Sequence, residues 1–120
     1  MDLVAEQIDL AFVALADKTR RRVLERLSQG PATVSELAKP FAMAMPSFLQ
    51  HLQMLERCGL ITSQKQGRVR RCHLQPRTLQ QVEGWLSLQR QQWETRLDQL
   101  DDYLTRLKEQ QNEPLDHHES

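Results

Sequence analysis

Several features are scarce in this sequence of 120 residues, and each scarcity excludes a class of protein. Only two cysteines, Cys58 and Cys72, are present, which is too few for a disulfide-stabilised scaffold. The apolar runs are a few residues long, so none predicts a membrane span. The sequence has no paired carboxylates, nucleophile–base set or glycine-rich phosphate loop. We therefore expect neither an enzyme nor a cofactor.

The N-terminus also lacks a basic segment, since residues 1–17 hold four acidic and no basic side chains. This composition does not indicate a secretory signal and favours the cytoplasm. The length suits one compact domain, and 39% hydrophobic with 27% charged residues is typical of a globular protein. We expect no association with membranes.

The net charge is zero, but the charges are distributed unevenly along the chain. Residues 18–75 contain eleven Lys and Arg against three Asp and Glu, whereas residues 94–120 contain three against eight. A basic middle between acidic ends favours a module that binds a polyanion. A basic surface that is merely solvated is the alternative.

Short helices are predicted in the first third of the chain. Apolar residues at helical spacing predict an amphipathic helix over 3–15. Asp17 can cap a second helix, which Gly30 ends. Thr33 and Glu36 form a capping-box pattern that opens a short third helix.

The remaining pattern predicts a hairpin between two further helices. In order, it predicts a helix over 46–57, strands over 60–65 and 68–74 joined at Gln66-Gly67, a helix over 76–109 and a disordered tail over 111–120. Two short helices followed by a basic hairpin describe a winged helix-turn-helix. We therefore predict a mainly α winged helix-turn-helix domain over 1–110, whose helices 3–15 and 76–109 serve dimerisation.

Five motifs in this sequence resemble those of the ArsR family of regulators. In order, they are Ala14–Leu27 (ALADKTRRRVLERL), Thr33–Ala38 (TVSELA), Gln50–Leu55 (QHLQML), Cys58–Ile61 (CGLI) and Gly67–Arg70 (GRVR). The resemblance covers roughly residues 8–108, and the Trp- and Leu-containing ending is similar to a metal-independent branch of the family. It implies a dimeric repressor that binds a palindromic operator in double-stranded DNA through helix 46–57 and a basic wing over 60–74.

The second helix of such a motif lies in the major groove, so its exposed side chains are the candidate base readers. Ser47, Gln50 and His51 remain once the core positions of helix 46–57 are removed, and Gln can pair with adenine. The alternative for His51 is partial burial beside the turn.

Basic side chains on the hairpin and on the second helix are the candidate phosphate contacts. Those of the hairpin are Lys65, Arg68, Arg70 and Arg71. A hairpin kept soluble by its charge is the alternative. Because successive residues turn about 100° on a helix, the arginines at 20–22 cannot all face DNA. We expect Arg22 to do so, with ion pairs inside the chain as the alternative for this run.

Two residues depart from the family pattern. Ala44 stands where the family usually has a serine that caps the recognition helix, a loss of about 1 kcal/mol. Leu49 stands where a small polar residue is frequent, so it could contact thymine methyl groups or widen the core. Both departures slightly favour a rival function, a winged helix that docks on protein.

The last predicted helix carries a seam of apolar residues at coiled-coil spacing, interrupted at Arg90. Its members are Leu86, Trp93, Leu97, Leu100, Leu104 and Leu107. The first helix is also apolar on one face, with Leu3, Ile8 and Phe12, but its 13 residues cover only about 20 Å. We therefore expect a homodimer interface of Leu3, Ile8, Phe12 and the seam. Packing within one chain is the alternative.

A metal site is not expected. The helix that supplies cysteine pairs in metal-sensing relatives reads Ser35–Lys39 without cysteine, and Cys58 and Cys72 have no histidine at ligand spacing. Residues 116–119 (DHHE) could ligate a metal weakly, but a mobile tail is a poor cage. Buried, inert thiols are the expectation for both cysteines, and a redox sensor is the alternative.

Overall fold

The computed structural model describes the backbone of residues 3–119 and the side chains of residues 3–112. Its elements are α1 (Leu3–Leu15), α2 (Lys18–Leu27), β1 (Ala32–Thr33), α3 (Val34–Ala38), α4 (Met45–Arg57), β2 (Ile61–Gln66), β3 (Val69–Leu74) and α5 (Pro76–Glu119). Two consecutive short helices, a hairpin and a long final helix confirm the predicted winged helix-turn-helix fold. Strand β1 was not predicted.

The three strands form one antiparallel sheet in the order β1-β3-β2. Ala32 of β1 pairs with Cys72 of β3, which places the segment before α3 at the edge of the hairpin. A strand of two residues is too short to show the alternation of polar and apolar residues that predicts strands from sequence. Only the pairing itself reveals β1.

Side-chain caps begin α2 and α3 as predicted. The backbone N–H of Arg20 donates to Oδ2 of Asp17 at 3.0 Å, and that of Glu36 donates to Oγ1 of Thr33 at 3.1 Å. In a complete capping box the Glu side chain would also accept from the backbone N–H of the N-cap residue. Here Oε1 of Glu36 accepts instead from the Thr33 hydroxyl, at 3.0 Å. The Glu36 carboxylate also lies 3.7 Å from the Arg26 guanidinium, which links α3 to α2.

Helix α4 ends in a Schellman motif, which corrects the predicted start of the first hairpin strand. The N–H of Leu60 donates to the carbonyl of Leu55 at 2.9 Å, and that of Gly59 donates to the carbonyl of Glu56 at 3.1 Å. Gly59 adopts a φ of +76°, which an L side chain would strain. Leu60 therefore belongs to the helix terminus, and β2 begins at Ile61 rather than at residue 60.

The hairpin turn is also shifted by one residue from its prediction. Gln66 pairs with Val69, so the two-residue loop is Gly67-Arg68 instead of Gln66-Gly67. Gly67 has a φ of +63°, whereas no non-glycine residue of the described chain has a positive φ. Glycine at the first loop position is the signature of a type II′ turn, whose twist matches that of antiparallel strands.

A single apolar core fixes α3, α4 and the hairpin relative to one another. Its buried members are Ala14, Val23, Leu24, Leu27, Ala32, Leu37, Phe48, Leu52, Leu55, Cys58, Leu60, Ile61 and Cys72. Each fully buried Leu, Ile or Phe contributes about 1.5–3 kcal/mol relative to an exposed one. This core lies entirely within the first of two compact units, Met1–Glu83.

Helix α5 begins in that first unit and continues as the second, Gly84–Ser120. In the first unit the Thr78 hydroxyl donates to the carbonyl of Cys58 at 3.1 Å and accepts from Nε2 of Gln7 at 3.3 Å. The helix runs past its predicted end at residue 109. The predicted disorder of residues 111–120 falls mainly outside the described side chains, so the tail and the domain boundary at 110 stay predictions.

Candidate nucleic-acid interface

Helix α4 buries one face and leaves a polar face exposed. Phe48, Leu52 and Leu55 point into the core, whereas Ser47 and Gln50 are exposed near the start of the helix. Polar side chains at the N-terminal end of the second helix are the ones that reach base edges in this motif. Ser47 and Gln50 lie at that end of α4, and their role as base readers stays a prediction.

The start of α4 depends on packing rather than on a side-chain cap. Ala44 is the N-cap residue and makes no side-chain hydrogen bond, as its identity requires. In front of it, the ring of Phe41 lies 5.5 Å from that of Phe48, and the Arg22 guanidinium lies over the Phe41 ring at 5.0 Å. A cation–π contact of this kind contributes about 0.5–1 kcal/mol at an exposed site. These contacts hold Arg22 beside the N-terminus of α4.

His51 lies at the border between the exposed and buried faces of α4. Its side chain is 22% exposed, and Nδ1 lies 3.2 Å from Nη1 of Arg20 and 3.7 Å from Oδ2 of Asp17. The edge of the ring that carries Nδ1 is thus partly buried beside the turn, which matches the alternative given for His51. The sequence showed Asp17 only as a cap and Arg20 only as one of three arginines, so their meeting with His51 was not predicted.

The role of Asp17 as a cap lowers the pKa of its carboxyl group. The backbone N–H of Arg20 stabilises the carboxylate and lowers the pKa of Asp17; burial opposes this shift, and the charges of His51 and Arg20 add to it. A lowered folded-state pKa means that the charge of Asp17 stabilises the fold above the unfolded value of about 3.9. That contribution is lost as the pH falls through the folded pKa.

We expect Asp17→Ala to lower the free energy of unfolding by about 1 kcal/mol at pH 7, because α2 loses its N-cap. The difference from wild type should begin to shrink below about pH 3.9, where the unfolded chain takes up the proton, and vanish as the pH falls through the lower pKa of the folded carboxylate. Asp17→Asn is the matched control, since it keeps a capping oxygen that does not titrate. Urea unfolding at one fixed protein concentration measures all three. A pH-independent loss in Asp17→Ala would contradict the assignment.

The hairpin separates its basic side chains onto two faces. Lys65 and Arg70 are cross-strand partners, and the alternation along β3 puts Arg70 on the face that carries buried Cys72. Arg71 therefore lies on the opposite face, and Arg68 lies in the turn. The structure brings Lys65 and Arg70 together on the side of α4, but it does not bring Arg71 there.

Arg70 is tied to the recognition helix by a chain of hydrogen bonds that the sequence did not suggest. Its Nη1 donates to Oγ of Ser63 at 2.9 Å, and the Ser63 hydroxyl donates to Oε1 of Glu56 at 2.7 Å. Glu56 lies in α4 and Ser63 in β2, so these hydrogen bonds hold the hairpin in its orientation relative to α4. No sequence motif marks them, because the three residues meet only through the fold.

A groove of about 330 Å³ lies between α4 and the hairpin. Leu49, Leu52 and Ile61 supply part of its apolar lining. Leu49 remains 37% exposed at the rim of this groove. Leu49, which departs from the family pattern, therefore extends the apolar surface between α4 and the hairpin and is not buried in the core.

A family model described as a helix-turn-helix domain matches residues 15–64. The HTH-type transcriptional regulator Rv2034 of Mycobacterium tuberculosis is 41% identical over 68 residues, and the match covers 57% of this chain but slightly less than two thirds, 64%, of that relative. The transcriptional repressor SdpR of Bacillus subtilis is 31% identical over 62% of this chain and 83% of its own length.

A solved structure decides the family. The ArsR family transcriptional regulator RHA00566 is 55% identical to this chain and superposes with a TM-score of 0.74, over 78% of this chain and 97% of its own. The chain belongs to the ArsR family of transcriptional regulators. The resemblance noted in the sequence is thereby confirmed, and its helix-turn-helix is that of a DNA-binding regulator.

The two cysteines of this ArsR-family protein are buried thiols in the structure. Cys58 and Cys72 are each 1% exposed, and both are free. Desolvation raises the pKa of each thiol, which disfavours the reactive thiolate. This environment supports the expectation of inert thiols over a redox sensor.

The described side chains, residues 3–112, contain no group of three or more His, Cys, Asp and Glu that could hold a metal ion. The candidate ligands at 116–119 lie outside those side chains. Within residues 3–119 no helix combines the length and apolar character required to cross a membrane.

The predicted dimer residues of this ArsR-family chain differ in exposure. In the first unit Leu3 is 76% exposed and Phe12 38%, but Ile8 is only 8% exposed. Ile8 is largely covered by its own chain, and its place in an interface stays a prediction. In the second unit Leu107 is 36% exposed, and the other seam members are about half exposed or more: Leu86, Trp93, Leu97, Leu100 and Leu104.

Proposed function

We propose that this ArsR-family regulator is a repressor that binds a palindromic operator as a homodimer, with α4 in the major groove. One observation carries the proposal: the exposed polar side chains of α4 and the basic pair Lys65 and Arg70 form adjacent surfaces. Hydrogen bonds from Arg70 through Ser63 to Glu56 connect the hairpin to α4. The first surface can hydrogen-bond to base edges, and the second can contact phosphates. The repressor SdpR among its relatives supports the direction of regulation.

The homodimer is supported by the apolar surface of the second unit. Leu97, Leu100 and Leu104 lie on one face of α5 and are each 51–53% exposed in the single chain. A second copy of the helix would remove these side chains from water. A dimer also supplies the two copies of α4 that the half-sites of a palindrome, about 34 Å apart, require. We propose that no metal takes part. A regulator that binds an operator acts in the compartment that contains the chromosome, which agrees with the cytoplasmic location expected from the sequence.

Selection of bound duplexes from a random pool tests this function. We expect one inverted-repeat sequence to be enriched and its binding to weaken steeply with salt. Binding to no duplex at low salt would refute the proposal and favour the rival function, docking on protein. Enrichment of a single half-site without a repeat would refute the dimeric mode of binding.

We expect Gln50→Ala to reduce discrimination more than affinity for non-specific DNA. A bidentate base contact is worth about 1–3 kcal/mol at one base pair, whereas non-specific binding depends on phosphates. Titrations of wild type and variant against the selected duplex, its single-base variants and a scrambled duplex measure the difference. Equal losses on the selected and scrambled duplexes would remove Gln50 from the base readers.

A further inference from the structure

The guanidinium of Arg20 is held by three acceptors, only one of which belongs to the recognition helix. Its Nε donates to the carbonyl of Ala14 at 2.8 Å, and its Nη2 donates to that of Val13 at 3.1 Å. These carbonyls lie in the last turn of α1, where a helix runs short of N–H donors, and that of Val13 also accepts from the N–H of Ala16 at 3.3 Å. The third contact joins Nη1 to Nδ1 of His51 at 3.2 Å.

The chemistry of that third contact fixes the proton on the imidazole. A guanidinium has five N–H donors and no acceptor, and it stays protonated in proteins. Nδ1 of His51 must therefore accept, which requires a lone pair there and puts the proton of the neutral ring on Nε2. Within residues 3–112, the structure gives Nε2 no hydrogen-bond partner.

From this geometry we infer that Arg20 is a positioning residue that fixes His51 as its Nε2–H tautomer, so that α4 offers DNA a hydrogen-bond donor at this position. The acceptor would be a base atom, such as purine N7, guanine O6 or thymine O4, or a phosphate oxygen. This inference deepens the proposed function and rests on it for the DNA contact alone.

Asp17 is the competing partner, and distance decides against it. A hydrogen bond from Nδ1–H to Oδ2 of Asp17 would select the opposite tautomer, but the atoms are 3.7 Å apart, beyond hydrogen-bond range. The same oxygen is already engaged by the backbone N–H of Arg20 at 3.0 Å. With Nη1 of Arg20 at 3.2 Å from Nδ1, the arginine determines the tautomer. Asp17 would determine it only in the absence of that arginine.

Long-range ¹H–¹⁵N NMR correlation of the free protein, labelled at histidine nitrogen, tests the tautomer directly. We expect His51 to show a protonated Nε2 and an unprotonated Nδ1 above pH about 7.5, where an ordinary histidine is neutral. His51→Gln assigns the signals by their loss. A protonated Nδ1 in the wild-type protein would overturn the inference, and this result needs no substitution of Arg20.

Arg20→Met tests whether the arginine is the cause. We expect its His51 to shift towards the Nδ1–H tautomer, with Asp17 as acceptor. Arg21→Met is the matched control, because Arg21 is the next residue of α2 and Nη1 of Arg21 also donates to an α1 carbonyl, that of Leu15 at 2.8 Å. The control removes the same charge and should keep the wild-type tautomer. An unchanged tautomer in Arg20→Met would refute the positioning role.

A double-mutant cycle on the selected duplex tests the consequence for DNA. We expect Arg20→Met to weaken binding about tenfold for each half-site relative to Arg21→Met, which is the loss of one hydrogen bond from each protomer. In a His51→Ala background, Arg20→Met should cause no further loss, because it acts through the imidazole. Additive losses would overturn the inference.

Single-base variants of the duplex then separate the two kinds of acceptor. A loss by His51→Ala that is confined to one base pair identifies a base atom, and an equal loss on all duplexes identifies a phosphate. If the wild-type protein bound no duplex at all, the proposed function would fail, while the spectrum would still decide the tautomer.

Discussion

Replacing Leu97 and Leu100 with lysine is expected to convert the protein into a monomer that binds its operator about 100-fold more weakly. Both side chains lie on the exposed apolar face of α5, where burial of two unpaired charges against a second copy is strongly unfavourable. A monomer engages one half-site and loses the effective concentration that a tethered second reader provides, typically a gain of about 100-fold or more. Analytical ultracentrifugation and titration of the operator measure both effects.

The matched control is Gln92→Lys with Gln99→Lys. Helical spacing puts these two exposed residues on the opposite side of α5, so the control adds the same charge off the seam. We expect it to remain dimeric. The helix-turn-helix should stay folded in both variants, since its core lies within Met1–Glu83. A dimeric Leu97→Lys, Leu100→Lys protein with unchanged operator binding would show that the interface lies elsewhere.

Replacing Arg68 and Arg70 with alanine is expected to weaken binding to every duplex alike and to flatten its dependence on salt. Arg68 lies in the hairpin turn and Arg70 beside Lys65 on the face towards α4, so both can contact the DNA backbone. Each lost phosphate contact should lower the slope of log affinity against log salt by about 0.9, and a dimer loses contacts from both wings. Titrations at several salt concentrations give the slope.

Arg96→Ala with Arg106→Ala is the matched control, since it removes the same charge from exposed positions of α5. It should keep the wild-type salt slope, because neither residue lies on the helix or hairpin proposed to contact DNA. If the wing variant also kept the wild-type slope, the hairpin would not contact phosphates. A loss on the selected duplex alone would assign the two arginines to base reading instead.

The order of helices could be predicted because its signals are local. Asp17 and Thr33 cap α2 and α3 through hydrogen bonds to residues three positions later, so the sequence contains both partners. The spacing of Phe48, Leu52 and Leu55 likewise determines which face of α4 is buried, and therefore which face offers Gln50. The exposed apolar face of α5 follows from the same periodicity.

The hairpin boundaries could not be placed as well, because two local structures compete for the same residues. The residues that follow Leu60 have the pattern of a strand, which predicts that Leu60 belongs to it. The N–H of Leu60 instead closes the Schellman motif at the end of α4. Gly67 predicted the turn, yet only the pairing of Gln66 with Val69 shows that it is the first loop residue rather than the second. That one-residue difference changes the cross-strand partner of Arg70 from Ser63 to Lys65, while Arg70 and Arg71 keep their faces.

The sequence by itself determined the winged helix-turn-helix, its basic middle and the face of each helix, since periodicity, caps and turns act between residues close in the chain. Only the tertiary structure decided the contacts that set the chemistry of the interface. Arg20 and His51 are 31 positions apart, and Glu56, Ser63 and Arg70 come from three different elements. Such contacts depend on how a shared core orients the elements, and residue order alone does not contain that orientation.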